Sequence, residues 1–304
     1  MRVIFLGTPD FAVLPLEAIV KSHHEVIAVV TQPDRPVGRK AIITPCAVKQ
    51  YANSVSLNVL SYEKISKEGV EDLKALNPDI MVTCAFGQIL SSEVLSIAKY
   101  GVINIHASLL PKYRGASPIQ HSILSGDTET GITVMQTDVG VDTGDIILQE
   151  KLQISKEETA GELFDRLSVL GAETILKALD LIESGKASFT KQDESKATHV
   201  KMIKKTDALI DFNKTATEIY NLVRGFNPWP IAFTYYQGKT LKVYKCRVEE
   251  SCGEAGVVIS SSGEVTIGTK KGSITLLEVQ LEGSKKMPIK DFLAGHKIEV
   301  GFKF

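Results

Sequence analysis

The strongest constraint on the fold sits near the start of the chain, in Arg2-Val3-Ile4-Phe5-Leu6. An unbroken apolar run of this length suits a strand covered on both faces, the habit of parallel sheets flanked by helices. Gly7-Thr8-Pro9-Asp10 supplies a turn. Phe11–Lys21 then carries Leu14, Ala18 and Ile19 near helical spacing, and Val26–Thr31 returns as a second apolar strand. A strand–helix–strand opening predicts an α/β fold with a doubly wound, mostly parallel sheet. The turn is not a dinucleotide fingerprint, because GTPDFA lacks the GxGxxG glycines that let a backbone close on pyrophosphate. The same run is too short for a signal-peptide core or a membrane span, so no membrane partner is expected.

The pattern then repeats. Pro45–Asn53, Gly69–Leu76 and residues 89–98 read as helices, and Asn58–Leu60 and Asp79–Cys84 as strands. Gln32–Lys40 is a loop with three basic residues, Arg35, Arg39 and Lys40. Such a loop is either a solvated turn or a basic finger placed to touch phosphates at the carboxyl edge of the sheet. Gly131–Thr137 reads as a further strand. Thr159-Ala160-Gly161-Glu162 is a capping box, opening a helix that runs to Gly185.

The chemistry concentrates in residues 101–118, GVINIHASLLPKYRGASP. Ile103 and Ile105 alternate with Asn104 and His106, so the amide and the imidazole share one face of a strand, roughly 6–7 Å apart. Polar groups inside an apolar strand are costly unless paired or used. The run breaks at Ser108, Pro111 and Gly115 into a loop. Farther on, Asp138, Asp142 and Asp145 share a loop with Gly140 and Gly144. Asp142 stands between the two glycines, which permit close backbone approach and unusual dihedrals. A carboxylate can orient and charge an imidazole, and an amide NH₂ can stabilise an oxyanion. No serine or cysteine sits in a GxSxG elbow, so direct transfer to an amine fits better than an acyl-enzyme. Polar packing is the plainer alternative.

The chain has 304 residues, 43% of them hydrophobic and 23% charged, which suits a globular protein of two domains. Apolar periodicity fades over residues 186–206. This divides a catalytic domain at 1–188 from a second domain at 207–304, with a linker at 189–206. The second domain opens with a helix, Thr215–Gly225, halted by Phe226-Asn227-Pro228-Trp229-Pro230. Five β-rich runs follow, IAFTYY, TLKVYKC, AGVVIS, EVTIGT and SITLLEV, which predict a small barrel or sandwich, a five-stranded barrel of this size being an OB-fold candidate. Net charge is -1, yet residues from Lys204 onward hold 15 Lys and Arg against 11 Asp and Glu. The back half therefore leans toward an anionic partner. Cys46, Cys84, Cys246 and Cys252 form no CxxC pair, so neither a zinc site nor a redox motif is read, and a reducing cytoplasm suits them. His23 and His24 end a helix, where a cation favours the dipole. His121 reads as packed or solvated, His199 and His296 carry no motif, and no metal is expected.

NIHASLLPKYRGASPIQ followed by TGITVMQTDVGVDTGDII resembles the 10-formyltetrahydrofolate-dependent transformylases. The first motif's Asn-x-His and Ser-Leu-Leu-Pro, with the second's Asp, form that family's signature. GTPDFA, TQPDRPVGR and RGFNPWPIAFT resemble the branch that acts on charged initiator tRNA, so the resemblance covers essentially the whole chain. It implies 10-formyltetrahydrofolate as co-substrate, methionyl initiator tRNA as acceptor, a Rossmann-like catalytic domain and a tRNA-binding OB-like domain in a cytoplasmic monomer. Asn104, His106 and Asp142 match the catalytic trio. Ser108, Leu109, Leu110 and Pro111 match the loop that holds the folate, and Phe86, Gly87 and Gln88 match the border of the pterin. Arg39 matches the tRNA-discriminating arginine, with Arg35 and Lys40 beside it. The family's basic loop is typically longer; here GRK runs straight into Ala41-Ile42-Ile43. Fewer phosphate contacts should flatten the salt dependence of tRNA binding. Rival readings are a transformylase acting on glycinamide ribonucleotide or an amino sugar, a 10-formyltetrahydrofolate hydrolase or dehydrogenase module, and a non-catalytic RNA-binding protein.

Overall fold

The apolar run at the start forms β1 (Arg2–Gly7), and the computed structural model describes residues 1–38 and 41–304. In chain order there follow α1 (Val13–Val20), β2 (Glu25–Thr31), β3 (Arg35–Val37), β4 (Ile42–Thr44), α2 (Ala47–Ser54), β5 (Val59–Ser61), α3 (Ile65–Glu68), α4 (Val70–Ala75) and β6 (Ile80–Cys84). Then come α5 (Ser92–Leu95), β7 (Val102–His106), β8 (Arg114–Gly115), α6 (Pro118–Leu124), β9 (Glu129–Gln136), β10 (Ile146–Gln153), α7 (Ala160–Glu183) and β11 (His199–Val200). The described chain divides into two compact units. One comprises Met1–Pro118, Glu129–Gln153 and Phe164–Val200; the other comprises Ile119–Thr128, Ile154–Leu163 and Lys201–Phe304.

The first unit is built on a seven-stranded sheet of order β10-β9-β7-β6-β1-β2-β5. The five strands from β7 to β5 run parallel, and the order reverses about β1, as in a doubly wound fold. Ile4, Phe5 and Leu6 are fully buried, worth roughly 1.5–3 kcal/mol per side chain, which holds β1 at the centre. Ile4 and Leu6 pack with Ala28, Val30, Met81 and Val102 on one face. On the other face α7 passes close, with Gly171 against Ile105 and Ile132, while Ser168 Oγ donates to the Phe11 carbonyl at 3.0 Å.

Three expectations need correction. The strand at Gly131–Thr137 is the longer β9, and β9 and β10 run antiparallel to their neighbours. β10 escaped notice because it is an edge strand, only partly buried along its length. The helix expected at 89–98 is the single turn α5, capped by Ser91 and closed where Ser96 Oγ donates to the Glu93 carbonyl. The basic loop is partly a hairpin, with Arg35 opposite Thr44 and Pro36 opposite Ile43.

The second unit contains α8 (Ala216–Gly225), β12 (Phe233–Tyr236), β13 (Lys239–Glu249), β14 (Val258–Ser260), β15 (Val265–Gly268), β16 (Ser273–Leu281), β17 (Met287–Pro288) and α9 (Ile289–Gly295). Its strands form an antiparallel half-barrel of order β12-β13-β16-β15-β14, with β17 added on β16, consistent with an OB-like fold. All five expected strands are present. Thr215 and Glu218 form a capping box at the start of α8, which lays Ile219 and Val223 into a core with Leu241, Val243, Ile274 and Leu276. Cys246 lies in that core, and burial pushes its thiol up to about 12, an inert state. Among the described residues no helix is long and apolar enough to cross a membrane.

Candidate active site

Strand β7 carries two of the three groups. It is paired on both sides, with Asn104 opposite Thr83 of β6 and His106 opposite Thr133 of β9. The ladder places the 104 and 106 side chains on one face. Thr83 Oγ1 donates to Asn104 Oδ1 at 2.8 Å. That bond sets the amide orientation and leaves the NH₂ donors directed elsewhere. Thr83 is nearly buried, and its role was not foreseen from the sequence.

His106 is 6% exposed. Its Nε2 lies 3.0 Å from the Tyr113 carbonyl, which can only accept, so Nε2 keeps its proton and donates. In the neutral ring Nδ1 is then the unprotonated nitrogen. Nδ1 lies 3.6 Å from Asp142 Oδ2, longer than a hydrogen bond but within ion-pair reach. The imidazole and the carboxylate expected to act together are thus neighbours, with Nδ1 facing the acid.

Asp142 is held by its surroundings rather than by a strand. Its φ is 55°, in the left-handed region, and Gly140 and Gly144 flank it as the sequence suggested. A side chain at Gly144 would collide with the Gln136 carbonyl, so glycine is required there. Asp142 Oδ2 accepts from the Gly115 N–H at 2.8 Å. Gln192 Nε2 donates to the Asp142 and Gly144 carbonyls, both at 2.8 Å. Gln192 Oε1 in turn accepts from Arg114 Nε at 3.0 Å and from its Nη2 at 2.8 Å. Arg114 is 1% exposed and forks onto Glu194, whose hydrogen bond raises the guanidinium pKa further. β11 pairs with β8 alongside. Residues 192–200, expected inside the linker, therefore brace both loops of the site, and sequence reasoning missed Gln192 and Arg114.

The Ser108–Pro111 loop is tightly anchored. Thr133 Oγ1 donates to the Ser108 carbonyl at 2.6 Å and accepts from Leu110 N at 3.1 Å. Gln149 Nε2 donates to the Leu110 carbonyl at 2.9 Å. Ser108 and Leu110 are buried, whereas Leu109 and Pro111 are half-buried, and Ser108 Oγ is engaged by the Lys112 carbonyl. Phe86 is a core residue. Gln88 uses its side chain on Ile65 N and the Tyr62 carbonyl. Gly87, at φ 81°, is exposed. What this segment can offer a ligand is therefore mainly backbone. Arg35 is exposed and paired with Glu63 at 2.7 Å, while Arg39 and Lys40 lie outside the described residues.

Residues 1–179 match the model of the formyl transferase family, and residues 202–297 match that of the formyl transferase C-terminal domain. Methionyl-tRNA formyltransferase of Geobacter metallireducens is 46% identical over 305 residues, covering 100% of this chain and 98% of its own. Methionyl-tRNA formyltransferase of Agathobacter rectalis is 46% identical over 308 residues, covering 100% and 99%. Among solved structures, an N-formyltransferase from Helicobacter canadensis in complex with folinic acid and dTDP-3-aminofucose superposes with a TM-score of 0.70. That likeness covers 94% of this chain and 100% of the other at 22% identity, and shows a shared fold.

Proposed function

The chain belongs to the formyl transferase family, and from that premise we propose that it moves a formyl group from 10-formyltetrahydrofolate to the free amino group of methionyl initiator tRNA. The observation that carries the mechanism is the His106–Asp142 pair, with Nε2 tied to the Tyr113 carbonyl and Nδ1 facing the carboxylate.

The neutral amine attacks the formyl carbon and forms a C–N bond, while the carbonyl electrons move to oxygen. Asn104, its amide oriented by Thr83, and the protonated ring of His106 donate to that oxyanion. Asp142 holds the ring charge and passes the proton shed by the amine, through water, to N10 of the folate. The C–N10 bond then breaks, giving N-formylmethionyl-tRNA and tetrahydrofolate. Ser108–Pro111, with the backbone around Gly87, forms the folate border. Arg35, Arg39 and Lys40 contact tRNA phosphates. Residues 207–304 serve as the tRNA-binding domain, where Tyr235, Lys239 and Lys245 are exposed on the β12–β13 hairpin. The enzyme acts as a cytoplasmic monomer.

The test is an acceptor comparison: charged initiator tRNA, free methionine, glycinamide ribonucleotide and dTDP-3-aminofucose, each with 10-formyltetrahydrofolate. Transfer to the charged tRNA alone is expected. Transfer only to a nucleotide acceptor, or to none, overturns the reading. Arg39→Ala should raise KM for tRNA and leave folate affinity unchanged.

A further inference from the structure

His23 and His24 end the turn between α1 and β2, and Asp180 and Glu183 stand near the end of α7. One ligating atom from each of the four lies within 4.8 Å of the others. Asp180 and Glu183 are three residues apart on a helix, so both project from the same face. The two imidazole rings, whose centroids are 4.0 Å apart, turn together toward them. Exposed acidic groups are common, but this cluster has a second feature. His24 is 4% exposed, its side chain is fully buried, and its Nε2 has no hydrogen-bond partner. That nitrogen is 3.4 Å from Asp180 Oδ1. A buried polar atom without a partner is costly, and this one is aimed into the cluster.

We propose that His23, His24, Asp180 and Glu183 form a tetrahedral Zn²⁺ site. The donor set is two imidazole nitrogens and two carboxylate oxygens, which suits zinc, whereas Mg²⁺ and Ca²⁺ prefer oxygen alone. Zinc bonds of 2.0–2.2 Å place neighbouring donors about 3.4 Å apart in a tetrahedron. His24 Nε2 and His23 Nε2 lie 3.4 and 3.8 Å from Asp180 Oδ1. His23 Nε2 is 2.8 Å from Glu183 Oε2, and that hydrogen bond opens slightly when metal bonds replace it. The Met1 nitrogen lies 3.3 Å from His24 Nδ1 and 2.9 Å from Glu183 Oε1. With Nε2 on the ion, Nδ1 carries the ring proton and donates to Met1 as a neutral amine, so zinc binding releases the ammonium's proton. The Ser22 hydroxyl accepts from the His24 N–H at 3.1 Å and steadies the turn. β2 begins at Glu25, so the cluster lies at the amino-terminal edge of the parallel strands, opposite the edge that carries His106. The ion ties the α1–β2 turn to α7 and takes no part in formyl transfer.

The full chain, stripped with a chelator, is titrated with ZnCl₂ by calorimetry and with CoCl₂ by visible absorption. One ion per chain, tetrahedral Co²⁺ bands, and a thermal midpoint raised by ZnCl₂ but not MgCl₂ are expected. His24→Gln and the double variant D180N/E183Q should each weaken binding by more than about 100-fold, beyond what loss of an outer partner costs. The double variant changes exposed carboxylates and is the arbiter if His24→Gln packs poorly. Formyl transfer by the double variant should match the parent. Absence of stoichiometric binding, or binding unaltered in D180N/E183Q, overturns the proposal.

Discussion

Strand β7 and the loop at residues 138–145 hold the three groups of the site by different means. Asn104 and His106 sit in a ladder bonded to β6 and β9, and their directions follow from the pleat. Asp142 sits at φ 55°, a conformation that costs a non-glycine residue of order 1–3 kcal/mol. What offsets this is a few hydrogen bonds, from Gly115 N–H to its carboxylate and from Gln192 to the carbonyls of Asp142 and Gly144. Each is worth about 0.5–1.5 kcal/mol net, so the loop is held with little to spare. The strand half of the site should tolerate distant changes. The loop half should respond to residues that never touch a substrate.

The largest effect should come from the strand. His106→Ala should lower the single-turnover rate by about 10²–10⁴-fold with folate Kd little changed, since the ladder remains. A parallel loss of folate affinity would instead make the ring a binding group. Asn104→Ala should cost about 10²–10³-fold in the same assay, as loss of one oxyanion donor does. Gln192→Leu tests the loop half. A loss of about tenfold is expected, near the ~1.4 kcal/mol of one well-placed hydrogen bond. Combined with Asp142→Asn it should add nothing, because Gln192 acts through Asp142; fully additive losses in this double-mutant cycle would break the distinction drawn between the two halves. Thr83→Val should slow the reaction by roughly 3–10-fold without moving the thermal midpoint far, because it frees only the Asn104 orientation.

The smallest effect concerns pH. The hydrogen bond from Arg114 holds the Glu194 carboxyl below its ordinary 4.5. A depressed folded pKa gives stability that is complete above the unfolded value and fades as pH falls through the folded one. The difference in thermal midpoint between the parent and Glu194→Gln should therefore be small at neutral pH and shrink further below pH 4.5. A gap that widens in acid would show that Glu194 does not brace Arg114 as the geometry implies.

Much of this molecule was readable from local pattern. The apolar run at Val3–Leu6 named the central strand, alternation at 103–106 put Asn104 and His106 on one face, and Gly140 and Gly144 marked Asp142. Five short β-rich runs became β12 to β16. These features have periods of two or four residues, or a required glycine, so a short window of chain contains the whole signal. Tertiary structure alone decided the rest. The bond from Gln192 to Asp142 spans 50 positions, and that from Arg114 to Gln192 spans 78. Polar residues scattered along 189–200 look like linker until the partner that needs them is beside them. His23 and His24 suggested only a helix end until α7 brought Asp180 and Glu183 within reach. Burial periodicity is written along the chain because each residue must choose core or water. A hydrogen bond or a metal ligand set is a relation between distant segments, and it exists only once the sheet has brought them together.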